Sequence, residues 1–414
     1  MNLVLFIDNH SMSDVDITRI KNGNPGIGGT QFEMFSLARL LIENNTTYNF
    51  VLVLTHKQLG MDYINTVILD KFNDIFDYCN KNDVDILISR ENNKFNLINS
   101  LIKTKVIFWI HNYVSYDLIK EIGKTDKIKR VIFVSKQHYD FYLEYNINQK
   151  ATYIFNGLAI NNQLPIISNK ENNVVFTGNL VPIKRLHLVT KIWPRVVKKV
   201  PDAKLFVIGN GASAHRDARL GPNNIAEENY EKIILKPLIK SNCLDTVKFL
   251  GILGNEKNDI IQSAKIGVSP NKDETFCLCA AEYILNGVPV IGVKKGGIID
   301  VVTNGRTGYL HRSLRMISKD IICFLKGKKR LIINENDIEE MKNKFGFNAF
   351  YESWIKNIEE VFTGTKVKTL KSSKPRIDKA KWFGIFCKNM RTLFHLPEWF
   401  SRLGFYKIIK RTRK

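Results

Sequence analysis

Short apolar runs rich in Val, Ile and Phe recur along the chain, and each interval between them is long enough for one helix. In the first half, these runs are residues 3–7, 50–54, 85–88, 106–110, 131–134 and 152–155. Strands that are apolar along their whole length and alternate with helices are typical of a parallel sheet covered on both faces. The first half is therefore predicted to form an α/β domain.

A second series of apolar runs starts after a polar stretch. Its members are residues 174–177, 204–208, 247–250, 266–269 and 288–292. The polar stretch 156–165 contains the turn dipeptide Asn156-Gly157 and is predicted to be a linker. We therefore expect two Rossmann-like, doubly wound domains, residues 1–158 and 165–345, that face a ligand-binding cleft.

Two segments depart from the strand and helix alternation. Residues 348–362 are predicted to form a helix that packs back onto the first domain. The apolar stripe of this helix comprises Phe350, Trp354, Ile358 and Val361 or Phe362. Residues 212–229 show no clear periodicity and include a Gly-Pro pair, so they are predicted to be a long loop.

Composition excludes several classes of protein. The 414 residues are 44% hydrophobic and 25% charged, which excludes a wholly disordered chain, a collagen and a small disulfide scaffold. The six cysteines are scattered without a C-x-x-C pair, so neither a zinc cluster nor a disulfide framework is expected. Because no uninterrupted apolar segment reaches 18 residues, we expect a cytoplasmic chain without a membrane span.

The positive charge is concentrated at the end of the chain. The net charge is +22, and residues 364–414 contain 15 Lys and Arg residues against 2 Asp and Glu residues. Apolar residues recur there at helical spacing, namely Trp382, Phe383, Phe386, Met390, Leu393 and Phe394. Residues 364–414 are therefore predicted to be a basic amphipathic tail that binds an anionic membrane surface. The alternative is a pair of helices folded against the domains.

Two features of the first half are candidates for ligand contact. The loop that contains Gly28 and Gly29 can bring its backbone close to a ligand, and Thr30 and Glu33 are predicted to cap the following helix. A flexible turn is the alternative interpretation of this loop. His111 follows the run 106–110, at the sheet edge where open α/β proteins bind ligands, although a structural histidine is the simpler reading.

The second half contains paired cations and paired carboxylates. Lys184 and Arg185 follow the first strand of the second series, where two cations can neutralise a diphosphate. Glu274 is expected in a loop, and Glu282 about two turns into the helix that follows. Each pair has a simpler reading as solvated surface charges.

These residues together resemble glycosyltransferase family 4, the retaining nucleotide-sugar enzymes of the GT-B fold. The resemblance covers about residues 1–362 and rests on the order of its motifs. The motifs are Gly28-Gly29, His111, Ser135, Asn156-Gly157, Gly178 to Lys184, Glu274 to Glu282, Gly287-Val288-Pro289-Val290-Ile291 and Gly296-Gly297 followed by Asp300.

The resemblance implies a role for each candidate residue. Glu282 would bind the ribose, Glu274 the donor sugar, and Lys184 the diphosphate, while His111 would lie beside the transferred sugar. Catalytic residues would be Glu274, His111 and Lys184. The remaining donor-binding set would be Arg185, Gly178, Asn179, Phe276, Cys277, Leu278, Gly28, Gly29 and Gly209.

The chain departs from the family pattern at several positions. Asn179 stands where the family usually has Arg, so Arg185 is the candidate replacement for that phosphate contact. Thr275 and Cys277 occupy positions that are glycine in the family, and Asp300 replaces a glutamate. We interpret Cys277 and the nearby Cys279 as packing residues because no base lies beside them in sequence.

The implied activity is metal-independent, retaining transfer of a hexose from a nucleotide-diphosphate sugar, with UDP the expected nucleotide. The acceptor would be a lipid-linked or cell-surface glycan such as lipopolysaccharide or capsule, which places the enzyme at the inner face of the cell membrane. An inverting transferase or a nucleotide-sugar epimerase of the same fold is the alternative. A nucleic-acid-binding protein is disfavoured because the tail's aromatic residues fall on one stripe.

The tail predicts salt-sensitive binding to anionic vesicles. Each basic residue near an anionic surface contributes about 1 kcal/mol, so a few of them suffice for reversible binding. In vesicle sedimentation, the full chain should pellet with anionic but not neutral vesicles, and high salt should release most of it. A chain that ends at Gly364 should stay in solution. Equal pelleting of the two proteins would contradict the prediction.

Overall fold

The first apolar series forms a seven-stranded parallel sheet in the computed structural model, with strand order β3-β2-β1-β4-β5-β6-β7. Its strands are β1 (Asn2–Ile7), β2 (Asn49–Leu54), β3 (Thr66–Ile68), β4 (Ile86–Arg90), β5 (Lys105–Ile110), β6 (Ile128–Phe133) and β7 (Ala151–Tyr153). The structure describes residues 1–44, 47–61, 65–142, 147, 149–160, 171–213 and 218–367. Most of the predicted tail, residues 368–414, therefore lies outside the described residues.

Continuous apolar runs reflect the two buried faces of this sheet. Leu3, Leu5 and Ile7 pack into one core, whereas Val4 and Phe6 pack into another on the opposite face, as the alternation of side chains along a strand requires. The helices of this domain are α1 (Gly29–Asn44), α2 (Asp74–Lys81), α3 (Phe95–Asn99), α4 (Tyr116–Lys124) and α5 (Lys136–Tyr142).

The second series forms a six-stranded parallel sheet with strand order β10-β9-β8-β11-β12-β13. Its strands are β8 (Asn173–Thr177), β9 (Lys204–Ile208), β10 (Val247–Phe249), β11 (Ile266–Ser269), β12 (Val290–Val293) and β13 (Gly308–His311). The helices that follow α5 are α6 (Leu186–Lys199), α7 (Glu228–Lys240), α8 (Lys257–Ser263), α9 (Leu278–Leu285), α10 (Ile298–Val301), α11 (Leu314–Leu325), α12 (Glu335–Phe345) and α13 (Phe347–Thr363). The prediction of two parallel α/β sheets is confirmed.

Strand order reverses once in each sheet, between β1 and β4 and between β8 and β11. Connections leave such a point in opposite directions and open a crevice at the carboxyl ends of the strands. The predicted loop 212–229 is too long by two residues, because α7 begins at Glu228. Within the described residues, no helix combines the length and apolar character that are needed to cross a bilayer.

The last described helix, α13, packs on the first sheet. The buried Arg130 side chain on β6 donates from Nη1 to Asn357 Oδ1 and to Glu360 Oε2, both at 2.9 Å. Trp354 meets Trp109 of β5 edge-on, with ring centroids 4.6 Å apart. Helix α13 is thus held by the first domain, although it follows the second domain in sequence.

The chain crosses between the domains beside the start of α13. The Leu158 amide donates to Phe345 O at 2.8 Å, and a Cβ atom at Gly157 would lie 2.9 Å from the Phe350 ring. The Gly157 amide donates at 2.8 Å to Oε2 of Glu33, a carboxyl group without solvent exposure. Any side chain at position 157 would therefore clash with α13.

The predicted capping box of α1 is wrong. The helix begins at Gly29, so Thr30 lies inside it, and Glu33 faces the core instead of the helix end. The Glu33 carboxylate binds the amide of Gly157, which is distant in sequence. A local pattern suggested a cap, whereas the tertiary structure uses this carboxyl group to tie α1 to the crossing.

Glu33 predicts a pH-dependent gain in stability for Glu33→Gln. Burial raises the pKa of Glu33 well above its ordinary value of 4.5, and the Gly157 amide offsets this only in part. Because the folded state holds this proton more tightly, the stabilising contribution is fully present below pH 4.5. As pH rises from 4.5 towards the shifted pKa, the free energy of unfolding falls by up to about 1.4 kcal/mol for each pH unit. Glutamine avoids this loss because it does not ionise.

Thermal unfolding of Glu33→Gln and wild type from pH 5 to pH 8 checks this prediction. The variant should be more stable at pH 8, and its advantage should shrink towards pH 5. Glu43→Gln is the control, because Glu43 is on the same helix but 43% of its side chain is exposed. A gain that is equal at every pH would contradict the assignment.

Candidate functional site

A cleft of about 410 Å³ lies where the carboxyl edges of the two sheets face each other. Every candidate residue from the sequence lines this cleft except Arg185. The first domain contributes Gly28, Gly29 and His111, and the second contributes Gly178, Asn179, Lys184, Gly209, Glu274, Phe276, Cys277, Leu278 and Glu282. Residues that span 255 positions of sequence are thus brought to one site.

Lys184 and Glu274 form an ion pair inside the cleft. Lys184 Nζ and Glu274 Oε1 are 2.6 Å apart, with 33% and 12% of the two side chains exposed. Burial alone would lower the pKa of Lys184, but the charge and hydrogen bond of Glu274 more than offset it, so the pKa is raised. Burial likewise acts to raise the pKa of Glu274, but Lys184 and a hydrogen bond from Asn271 lower it overall. Both groups are therefore charged at neutral pH.

Arg185 occupies a different cavity from its neighbour Lys184. Its backbone is in the left-handed region, with φ of 61°, which turns the two side chains to different places. Arg185 lines a second cavity of about 420 Å³ together with Lys272, Lys294 and Arg312. The expectation that Arg185 replaces the arginine missing at Asn179 therefore has no support, because Asn179 lines the cleft and Arg185 does not.

A second ion pair involves Lys257, a residue that the sequence analysis missed. Lys257 Nζ lies 2.6 Å from Glu282 Oε1, and only 7% of the lysine side chain is exposed. Lys257 begins α8, and Glu282 lies on α9, so the pair joins two helices at the second domain's side of the cleft. No motif or spacing pointed to Lys257, because the contact with Glu282 is made only by folding.

His111 enters the cleft at the end of β5 and is buried. Burial, and then the charges of Arg90 and His138, lower its pKa well below 6.5, so the imidazole is neutral at physiological pH. Its ring lies 4.5 Å from that of Trp109, centroid to centroid. Arg90 was also missed, although it follows the predicted run 85–88 at the edge where ligands were expected.

The loop that carries Glu274 touches the first domain directly. Thr275 Oγ1 donates to His111 O at 2.7 Å, and Thr275 O accepts from Ser135 Oγ. The Gln137 amide donates to Asp300 Oδ2 at 2.7 Å. Two of the positions that depart from the family pattern, Thr275 and Asp300, thus hold the two domains together beside the cleft.

Close approach also explains Gly29. A Cβ atom there would lie 2.8 Å from Leu278 Cδ1, at the start of α9 in the other domain. Cys277 precedes α9 with φ of 87°, and its thiol lies 3.4 Å from Ser269 Oγ and 3.7 Å from Cys279 Sγ. Cys277, Leu278 and Cys279, where α9 begins, line the cleft, and free amides at the beginning of a helix can bind an anion.

Several buried polar atoms in the cleft lack a hydrogen-bond partner within the described part of the chain. They include Arg90 Nε, His111 Nε2, Asn156 Oδ1 and Asn179 Oδ1. Buried polar groups are normally paired, so these atoms are available to hydrogen-bond a polar ligand in the cleft. No group of three His, Cys, Asp or Glu side chains suited to a metal ion occurs among the described residues.

The fold and the cleft define a class: two Rossmann-like domains facing each other, as in the GT-B fold. The structure of Anabaena Alr3699/HepE in complex with UDP and glucose matches with a TM-score of 0.66 at 14% identity, covering 87% of this chain and 100% of that chain. Residues 161–344 match the model of the family Glycosyl transferases group 1. The match to this family model lies in the second domain, and the resemblance found in the sequence is confirmed at the level of the group 1 glycosyl transferases.

Two bacterial proteins are similar in sequence to about half of this chain. N-acetyl-alpha-D-glucosaminyl L-malate synthase of Bacillus anthracis is 27% identical over 198 residues, which are 48% of this chain and 44% of that protein. Poly(glycerol-phosphate) alpha-glucosyltransferase of Bacillus subtilis is 25% identical over 213 residues, 50% of this chain and 29% of that protein. The similarity thus spans less than half the length of either relative.

The buried ion pair predicts a stability pattern for Lys184 and Glu274. Lys184→Met should lower the free energy of unfolding by about 1–3 kcal/mol, because it leaves Glu274 as an uncompensated charge. The double variant Lys184→Met/Glu274→Gln should recover most of this loss, which urea unfolding can measure. Lys232→Met is the control, since its partner Glu228 is exposed, and it should change stability by less than about 0.5 kcal/mol. A double variant less stable than Lys184→Met would contradict the coupling.

Proposed function

We propose that this chain is a retaining glycosyltransferase that moves a hexose from a nucleotide-diphosphate sugar to a glycan or glycolipid acceptor. One observation carries the proposal: two ion pairs and several unpartnered polar atoms line the cleft between two Rossmann-like domains. The names of the relatives, a glucosyltransferase and a glucosaminyl-malate synthase, support sugar transfer. The Anabaena neighbour with UDP and glucose supports UDP as the nucleotide.

The chemistry follows from where charge develops. Cleavage of the glycosyl–phosphate bond builds positive charge on the sugar and negative charge on the leaving diphosphate. Lys184 and the amides at the start of α9 bind the diphosphate and stabilise it as its charge grows. Glu274 holds Lys184 in place and accepts hydrogen bonds from donor sugar hydroxyls. Because the ion pair keeps both groups charged, this arrangement is ready before the donor binds.

His111 acts through its neutral form. A neutral imidazole beside the reacting sugar can exchange hydrogen bonds with hydroxyl groups. A protonated imidazole would oppose the positive charge that develops on the sugar, and burial together with Arg90 prevents its protonation. The unpartnered Nε2 atom is the nitrogen available to the substrate. Glu282 binds the ribose hydroxyls, at the other end of the donor.

The proposal also includes the acceptor substrate and the location of the protein in the cell. We propose a lipid-linked or cell-surface glycan as acceptor and a peripheral location at the inner face of the cytoplasmic membrane, supported by the charge and aromatic pattern of residues 364–414. No metal cofactor takes part in this mechanism. An inverting transferase and an epimerase are the competing activities, and NMR analysis of the product anomer distinguishes them.

Donor kinetics test the assigned roles. With UDP-glucose as the first donor, Glu282→Ala should mainly raise KM, because ribose contacts act alike in the ground and transition states. Lys184→Ala and Glu274→Ala should lower kcat roughly 100-fold or more, since the charge on the diphosphate grows only towards the transition state. Lys232→Ala, outside the cleft, should behave as wild type. Wild-type turnover in Lys184→Ala and Glu274→Ala would refute the assignment.

A further inference from the structure

We infer that Lys257 is a positioning residue that orients Glu282 for the ribose, so that it governs the preference for ribonucleoside over dideoxyribonucleoside diphosphates. This inference rests on the proposed function, in which Glu282 binds the ribose. It assigns a task to a residue that neither the motifs nor the family comparison singles out.

Lys257 is nearly buried at an unfavourable position. It is the first residue of α8, where the positive end of the helix dipole disfavours a cation. Only 7% of its side chain is exposed, although lysine is rarely buried unless it is paired. Two unfavourable electrostatic effects therefore act on this one amine. Its short contact with Glu282, 2.6 Å from Nζ to Oε1, is what compensates them.

Stability alone does not account for such a pair. A partly buried ion pair can often be replaced by apolar side chains without loss of stability, because both charges lose hydration. Lys257 and Glu282 both line the cleft, and 19% of the Glu282 side chain is exposed there. The pair is thus placed where a ligand can reach its unshared atoms. This placement favours a role in binding.

The contact fixes the orientation of the carboxylate. Within the part of the chain that the structure describes, Lys257 is the one side-chain partner of the Glu282 carboxylate, and it engages Oε1. A carboxylate has about four lone-pair sites, so Oε2 stays available to accept hydrogen bonds from two neighbouring hydroxyl groups. Without Lys257 the side chain could rotate, and each hydroxyl contact would first have to overcome that freedom.

Lys184 provides the contrast within the same cleft. Lys184 lies in the loop after β8 and pairs with Glu274, which lies in the loop after β11. In the proposed function, Lys184 binds the diphosphate. Loss of Lys184 should weaken binding of every diphosphate and leave the ribose preference intact. Loss of Lys257 should remove the preference itself. The two lysines are therefore separable by experiment.

Isothermal titration of the full chain with UDP and with 2′,3′-dideoxy-UDP tests the inference. Wild type should bind UDP on the order of tenfold more tightly than the dideoxy analogue, as expected for hydrogen bonds to a charged group. Lys257→Met should bind both within twofold of each other, and Lys257→Arg should keep the preference. Lys265→Met is the matched control, because Lys265 bonds to Asn172 and does not line the cleft.

A double variant keeps the inference testable if Lys257→Met does not fold. Lys257→Met leaves Glu282 without its counter-charge, so the double variant Lys257→Met/Glu282→Gln, which carries no charge at either position, accompanies it. The double variant should melt near wild type and should also bind the two nucleotides within twofold of each other. A ribose preference that persists in it would overturn the inference even if Lys257→Met fails to fold.

The remaining outcomes separate this inference from the proposed function. If wild type binds none of UDP, ADP, GDP and CDP, the proposed function fails, and the inference fails with it. If wild type binds UDP and the dideoxy analogue equally, Glu282 does not recognise the ribose. If wild type shows the preference and Lys257→Met keeps it, the inference alone is overturned.

Discussion

The ion pair between Lys184 and Glu274 is the contact on which the cleft depends. Partial removal from water disfavours the charged forms of a carboxylate and an ammonium group, and an opposite charge nearby offsets this effect for both. With Nζ and Oε1 2.6 Å apart, both keep their charge in a site that is largely screened from solvent. Lys257 and Glu282 form a second ion pair in the same cleft. The cleft can therefore offer cations to a diphosphate and carboxylates to hydroxyl groups at the same time.

Those charges are placed by contacts between the domains. The loop after β11 is bonded to the first domain through Thr275, which meets both His111 and Ser135. Gln137 and Asp300 add a further bond beside it. The position of Glu274 thus depends on both sheets, although Glu274 belongs to the second. A change in the angle between the domains would therefore alter the site.

Backbone conformation separates neighbours that a linear motif would group. The left-handed residue Arg185 directs its own side chain to a second cavity while Lys184 enters the cleft. Cys277, also left-handed, turns the chain just before α9, whose first residues, Leu278 and Cys279, line the cleft. Left-handed conformations are unfavourable for side chains other than glycine. They are found here where the chain must change direction beside the site.

The sequence by itself determined the two sheets and the sheet edge that carries the site, because strands buried on both faces need apolar residues at every position. It did not predict β3 or β13, which are short strands at sheet edges, and the three residues of β3 are at most half-buried. Local pattern also misassigned Glu33, whose partner Gly157 is 124 residues away. Tertiary structure alone places Lys257 in the cleft and Arg185 outside it. Apolar periodicity is a property of neighbours in sequence, whereas the partner of a buried charge is set by which helices and loops meet in space.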